Sequence, residues 1–244
     1  MKIGVAQLRT LKGNIAANIE KHLQLIQLAI SLNTDALFFP ELSITSYEPE
    51  LAKDLVVYVY DKRFDEFQNI SNAHNISIGI GAPVQFSTGI QISLITFVPN
   101  RTRPVYSKQL LHADELPYFV GGDKQIILTV ENKKIVPAIC FESLQPQHAK
   151  HAHALGAELY VVTVAKPQHA FMKAEQHYPD IAKKYSMPVL MANSVGPCDN
   201  FLSVGKSSVW NKQGVLLAQL NETEEGLLVF DTETEQILTC SLPQ

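Results

Sequence analysis

A cysteine at the end of an apolar run is the first residue in this chain whose type and place could do chemistry. Ile135-Val136-Pro137-Ala138-Ile139 has strand length, and Cys140, Phe141 and Glu142 follow it directly. Groups at the carboxyl ends of parallel strands line the ligand crevice of an open α/β sheet. A thiol there meets substrate; anywhere else it is the buried thiol that free cysteines most often are. A thiol of pKa about 8.5 needs a base or a nearby cation to react near neutrality. Glu41 closes a second apolar run, Asp35 to Pro40, and Lys108 stands in a polar and aromatic stretch from Tyr106 to Phe119 that also holds Glu115 and Tyr118. A carboxylate can take the thiol proton. An ammonium can stabilise both a thiolate and a tetrahedral oxyanion, and one good oxyanion donor contributes about a hundred- to a thousandfold in rate. Singly, Glu41 reads as a turn cap and Lys108 and Glu115 as surface charges. Together they supply what nucleophilic acyl transfer needs.

Convergence of residues so far apart requires a repeated framework, and the pattern of elements provides one. Ile3 to Leu8 reads as a buried strand, and Asn14 caps a helix whose apolar positions Ile15, Ile19, Leu23, Ile26 and Ile30 share one face. Strand Asp35–Glu41, helix Arg63–His74, strand Ile76–Gly81 and a hairpin of Gln91–Val98 with Arg103–Tyr106 follow. The second half repeats the order. Its members are strand Lys134–Cys140, helix Gln145–Leu155 stopped by Gly156, strand Glu158–Ala165, helix Lys173–Tyr185, strand Val189–Asn193, and a hairpin of Ser203–Trp210 with Gly214–Leu220. A strand at Leu227–Phe230 comes last, and the tail from Glu233 carries no pattern. Parallel strands must be covered on both faces. Two such halves therefore predict an α/β fold of four layers, an α-β-β-α sandwich built from two similar halves and forming one domain over residues 1–244.

Composition narrows the function classes. The 244 residues are 46% apolar with a net charge of −4, and no basic tract marks a nucleic-acid surface. No apolar run has the length of a membrane span, and the first residues start at once with strand pattern. Cys140, Cys198 and Cys240 form neither an even set nor a C-x-x-C pair, so a disulfide framework is not expected. The expectation is a cytoplasmic protein acting on a small molecule, with no nucleic-acid or membrane partner.

Three stretches carry a resemblance. Phe38-Phe39-Pro40-Glu41, then Tyr106-Ser107-Lys108 with Glu115 and Gly121-Gly122-Asp123, then Ile139-Cys140-Phe141-Glu142 resemble, in order and rough spacing, the three signatures of the nitrilase superfamily of carbon–nitrogen hydrolases. The likeness spans nearly the whole chain, including Asn193 to Gly196 and the hairpin from Lys206 to Gly214. It implies an α-β-β-α sandwich, with Cys140 as nucleophile, Glu41 as general base, Lys108 holding the oxyanion with the backbone N–H of Phe141, and Glu115 positioning substrate and water. Phe141, Glu142, Tyr118 and Lys166 are the substrate-side candidates. The implied reaction is attack on an amide-like carbon, loss of ammonia or an amine, and hydrolysis of a thioester, with no metal or organic cofactor and a homodimer as the default assembly.

The departures from the pattern bear on substrate. Leu144 stands where many amidases and carbamoylases of the family carry a carboxylate-gripping arginine, and Gln147 where a glutamate is common. Leucine cannot make that bidentate clamp. An ω-amidodicarboxylate then needs Arg9, Lys166 or another cation instead. Pro137 and Ala138 stand where glycine is frequent. Competing readings are an acyl transferase or amidotransferase using the same thioester, a catalytically silent binding member of the fold, a metal hydrolase built on His148, His151 and His153, and a nucleotide module at Gly79-Ile80-Gly81. The last two lack the H-E-x-x-H pattern and a third glycine or Walker lysine.

Overall fold

Strand runs alternating with amphipathic helices decide the architecture. The computed structural model, which describes residues 1–242, lays them out as four layers. In the first half, β1 (Lys2–Gln7), α1 (Ile15–Ser31), β2 (Ala36–Phe38), the single turn α2 (Ala52–Leu55), α3 (Asp65–His74), β3 (Ser77–Phe86), β4 (Gly89–Phe97) and β5 (Val105–Ser107) follow one another. In the second come β6 (Leu128–Val130), β7 (Lys133–Ile139), α4 (Pro146–Ala154), β8 (Leu159–Val164), α5 (Gln168–Tyr185) and β9 (Val189–Asn193). The chain continues through β10 (Val195–Cys198), β11 (Phe201–Val204), β12 (Ser208–Trp210), β13 (Leu216–Gln219), β14 (Gly226–Asp231) and β15 (Ile237–Ser241).

One sheet has the order β15-β14-β1-β2-β3-β4-β5 and the other β13-β12-β9-β8-β7-β6. In each, three central strands run parallel (β1-β2-β3 and β7-β8-β9) and their neighbours run antiparallel. The halves thus share one topology, and β15 is an extra edge strand on the first. Alternation along the strands separates three apolar layers. Ile3, Val5, Phe38, Ile135, Ile139, Val161 and Leu190 meet between the sheets. Leu37, Phe39 and Ile78 turn outward onto Ile26 and Ala29 of α1 and Phe67 of α3, while Val162, Val164 and Met191 turn outward onto α4 and α5. Two inner faces plus two helix-covered outer faces make the α-β-β-α sandwich expected from the repeat.

The sheets are pinned where their central strands end. Leu8, just past β1, bridges Ser194, just past β9, and the Val195 N–H donates to the Leu8 carbonyl at 3.1 Å. Helix α1 starts where Asn14 accepts the Ala17 N–H at 3.1 Å, a side-chain cap for an otherwise orphan donor.

Among the elements that differ from the sequence expectation, three stand out. The run Ser203–Trp210 is two strands, not one: β11 folds back on β10, left-handed backbone at Gly205 (φ 64°) and Lys206 (φ 58°) breaks the run, and only β12 joins the second sheet. Helix α5 starts at Gln168, ahead of Lys173, directly after Pro167, whose extended backbone lies outside the helix. Beyond Glu233 the tail forms β15 on an edge, where half-exposed residues show no clean alternation.

Candidate functional site

The nucleophile candidate sits on a strained corner. Strand β7 ends at Ile139, and Cys140 takes φ 49° at the head of a 3-10 turn, Cys140–Leu144. A non-glycine residue there costs on the order of 1–3 kcal/mol and persists only if its surroundings hold it. Glu142 does so: its carboxylate accepts the Ile139 N–H at 2.7 Å, the Gln109 N–H at 2.7 Å and the Tyr106 hydroxyl at 2.5 Å. That one side chain ties the corner to the segment carrying Lys108. From the other side, Ser143 Oγ donates to the Cys140 carbonyl at 2.5 Å and meets the Tyr178 hydroxyl at 2.7 Å. Burial pushes Glu142 up to about 7.

Glu41 follows β2, as Cys140 follows β7 in the other half. The loop carrying it passes so close to β3 that a Cβ on Gly81 would lie 2.4 Å from the Pro40 carbonyl oxygen and 2.5 Å from the Leu42 nitrogen. Lys108 leaves β5 with its N–H on the Ile92 carbonyl at 2.9 Å. Its Nζ donates to Glu41 Oε1 at 2.8 Å and to Glu115 Oε1 at 2.6 Å, with all three side chains sealed from solvent. Glu115 also accepts the Tyr47 hydroxyl at 2.9 Å and the His112 N–H at 2.7 Å.

The charges are unequal in consequence. Burial and the Glu115 carboxylate raise Glu41 above the usual carboxylate range against the pull of Lys108. Burial opposes the charge on Lys108, yet Glu41, Cys140 and Glu115 outweigh it and raise its pKa. Burial and the Glu41 carboxylate push Cys140 up to about 11, while Lys166 and Lys108 pull it down. A thiol with that acidity is protonated at neutral pH and reacts through a base. Glu41 Oε2 is buried without a hydrogen-bond partner, and the Cys140 thiol lowers the pKa of the same carboxyl.

Above this cluster opens a cleft of about 480 Å³ lined by Glu115, Cys140, Phe141 and Lys166. Lys166 Nζ lies 3.8 Å from Cys140 Sγ. Glu41 and Lys108 do not line the cleft; Lys108 reaches it through Glu115, and Glu41 through Lys108. The structure does not bring Glu142 or Tyr118 to it: Glu142 is sealed behind Cys140, and Tyr118 is 37% exposed and lines no part of the cleft. Arg9 is spent on the Thr223 carbonyl at 3.0 Å, and Leu144 presents hydrocarbon to the cleft. Tyr47 and Asn193 escaped prediction as individual site residues. Tyr47 shares the loop of Glu41, and Asn193 Oδ1 accepts the Lys166 N–H at 2.9 Å, but neither belongs to a spacing pattern. His148 is wedged between the Tyr106 and Tyr160 hydroxyls at 2.8 and 2.6 Å, and no group of three or more His, Cys, Asp or Glu among the described residues is arranged to hold a metal. A larger hollow, about 660 Å³, lies by Pro146 and α5 and is lined by no cysteine.

The chain resembles known proteins in sequence and in fold. The chain is 27% identical over 240 residues to the glutamine-dependent NAD(+) synthetase of Aquifex aeolicus, covering 93% of this chain and 41% of that protein. It is 26% identical to the same enzyme of Acinetobacter baylyi, covering 96% and 44%, so it spans less than half the length of these curated relatives. Among solved structures, a variant of the amidase from Nesterenkonia sp. AN1 with acrylamide added at its active-site cysteine superposes with a TM-score of 0.87, 21% identity, and 96% and 94% of the two chains. That amidase is a nitrilase-superfamily protein. The glutamine-dependent NAD(+) synthetase of Acinetobacter baumannii matches with a TM-score of 0.81 and 21% identity over 100% of this chain and 48% of its own. At such identities the superpositions speak for the fold. The carbon–nitrogen hydrolase family model matches residues 2–238, and the chain belongs to that family.

Proposed function

We propose that the protein hydrolyses a non-peptide carbon–nitrogen bond of a small amide through a Cys140 thioester. The observation that carries this reading is the bridge of Lys108 between Glu41 and Glu115, which lines the cleft with Cys140. Glu41 takes the Sγ proton as sulfur bonds to the amide carbon and the carbonyl π pair moves to oxygen. Lys108 and the Phe141 backbone N–H hold that oxyanion. Collapse breaks the C–N bond, and the proton on Glu41 leaves with ammonia or an amine. Water, oriented by Glu115 and deprotonated by Glu41, then attacks the thioester, releasing the acid and restoring the thiol. Glu142 acts by fixing the corner. The same reading takes the chain as one domain, cytoplasmic and homodimeric.

A second reading rests on the curated relatives, which are glutamine-dependent synthetases matched over less than half their length. In it the ammonia passes to a synthetase, and the acyl donor is glutamine or a close analogue. Ammonia release from a panel of aliphatic amides, amino-acid amides and glutamine tests both. Turnover of the panel by wild type and none by Cys140→Ala is expected. Full activity in Cys140→Ala ends the thiol mechanism, and turnover of glutamine alone selects the second reading.

A further inference from the structure

Lys166 is the residue in the cleft whose surroundings are hardest to explain by packing. It is 2% exposed, yet among the described residues its Nζ has a single hydrogen-bond contact, Cys140 Sγ at 3.8 Å. The carboxylates that line the cleft are engaged elsewhere, Glu115 with Lys108 and Asp114 with His112. A buried ammonium without a counter-charge is costly. The backbone adds to the imbalance. Lys166 immediately precedes α5, whose N-terminus has no side-chain cap and no acidic residue in its first turn, and the positive end of a helix dipole repels a neighbouring cation. The residue is nevertheless held firmly. Its N–H donates to Asn193 Oδ1 at 2.9 Å, and its carbonyl accepts the Val204 N–H at 3.0 Å and Ser203 Oγ at 3.2 Å. The ammonium is thus fixed beside the sulfur with no carboxylate bonded to it among the described residues, Glu41 being held by Lys108.

The anion arises during the reaction. We propose that Lys166 is a second catalytic cation, holding the negative charge that develops on Cys140 Sγ and on the adjoining carbonyl oxygen during attack. This rests on the reading of Cys140 as nucleophile. Lys108 has two of its three donors committed to Glu41 and Glu115, whereas Lys166 has donors to spare. An ammonium 3.8 Å from sulfur reaches atoms bonded to the attacked carbon, not the far end of a substrate. No proton leaves Lys166: the Sγ proton goes to Glu41 as the S–C bond forms, and the π pair goes to oxygen. The charge balance on the thiol agrees, since Lys166 pulls its pKa down more than Lys108 does.

The test is the pH profile of Cys140 alkylation by iodoacetamide, mapped by peptide mass spectrometry on the full chain, so that no amide turnover is needed. Lys166→Met and Lys166→Gln should each raise the midpoint by about one pH unit and slow alkylation at pH 7 about tenfold. Lys166→Arg should recover most of the wild-type profile, with thermal melts run beside each variant. With an amide substrate, kcat should fall about a hundredfold at nearly constant KM. An unchanged alkylation profile in a folded neutral variant overturns the proposal, as does a rise in KM with kcat intact, which marks a substrate-binding lysine. Altered alkylation with no amide turned over by wild type would leave Lys166 in place and remove the hydrolase reading instead.

Discussion

In the proposed reaction, proton ownership between Cys140 and Glu41 controls reactivity at the scale of single residues. Cys140 is held up to about 11 by burial and by Glu41, so the resting thiol depends on that carboxylate for its proton transfer. Glu41→Gln removes the base and should lower kcat by about a hundred- to ten-thousandfold, with a far-UV spectrum unchanged from wild type. Because Glu41 is raised by burial, the wild-type rate should fall on the acid side through a pKa above the ordinary 4.5 of a glutamate, as protonation removes the base. A kcat/KM profile from pH 4 to 8 checks it. Tyr47 works through Glu115, to which its hydroxyl donates at 2.9 Å. Tyr47→Phe should cost up to about 1.5 kcal/mol of transition-state stabilisation, roughly tenfold in kcat/KM. Cys140 and Glu41 stand out in the sequence because each closes an apolar run, and Lys108 and Glu115 because the stretch from Tyr106 to Phe119 resembles a family signature. Tyr47 was not, because a tyrosine in a loop has no partner until folding brings position 115 to it.

Elements place these residues through a few close approaches. The Glu41 loop is held against β3 because position 81 has no Cβ. Gly81→Ala should push that loop off Lys108, cutting kcat at least tenfold while the chain still folds, and ammonia release with a thermal melt separates the two effects. Asn14→Ala, which removes the cap of α1 and no residue lining the cleft, should cost about 1 kcal/mol of stability and leave kcat unchanged. The central strands and helices were readable from period and length. The short strands β6 and β11 and the edge strand β15 were not, because three to five residues with mixed exposure carry no period. Their places are set by pairing with β7, β10 and β14.

At the scale of the whole molecule, two similar halves meet where their central strands end, and the site draws on both: Glu41, Lys108 and Glu115 from one, Cys140 and Lys166 from the other. Buried histidines tie stability to pH. His22, against Asn18 O and Ser43 Oγ, and His148 are both pushed down to about 4 by burial. Between pH 6.5 and 4 the unfolded chain therefore binds protons the folded one refuses, and each site contributes stability of up to about 3 kcal/mol that is full above pH 6.5 and lost as pH falls toward 4. Glu142, raised to about 7, works in the opposite sense as its proton is lost on unfolding. His22→Gln should flatten the fall in melting temperature on acidification from pH 6.5, because it removes one of the two histidine contributions that Glu142 and Glu41 oppose. A pH series of melts on both proteins measures it.

The thioester is the most direct test. Wild-type protein is mixed with an amide it turns over, quenched in acid within the first turnovers and weighed intact. The account predicts a mass increase equal to the acyl group, mapped to the peptide containing Cys140, discharged by hydroxylamine and missing in Cys140→Ala. Ammonia release that proceeds undiminished in Cys140→Ala, or an acyl group mapped to another residue, would contradict it.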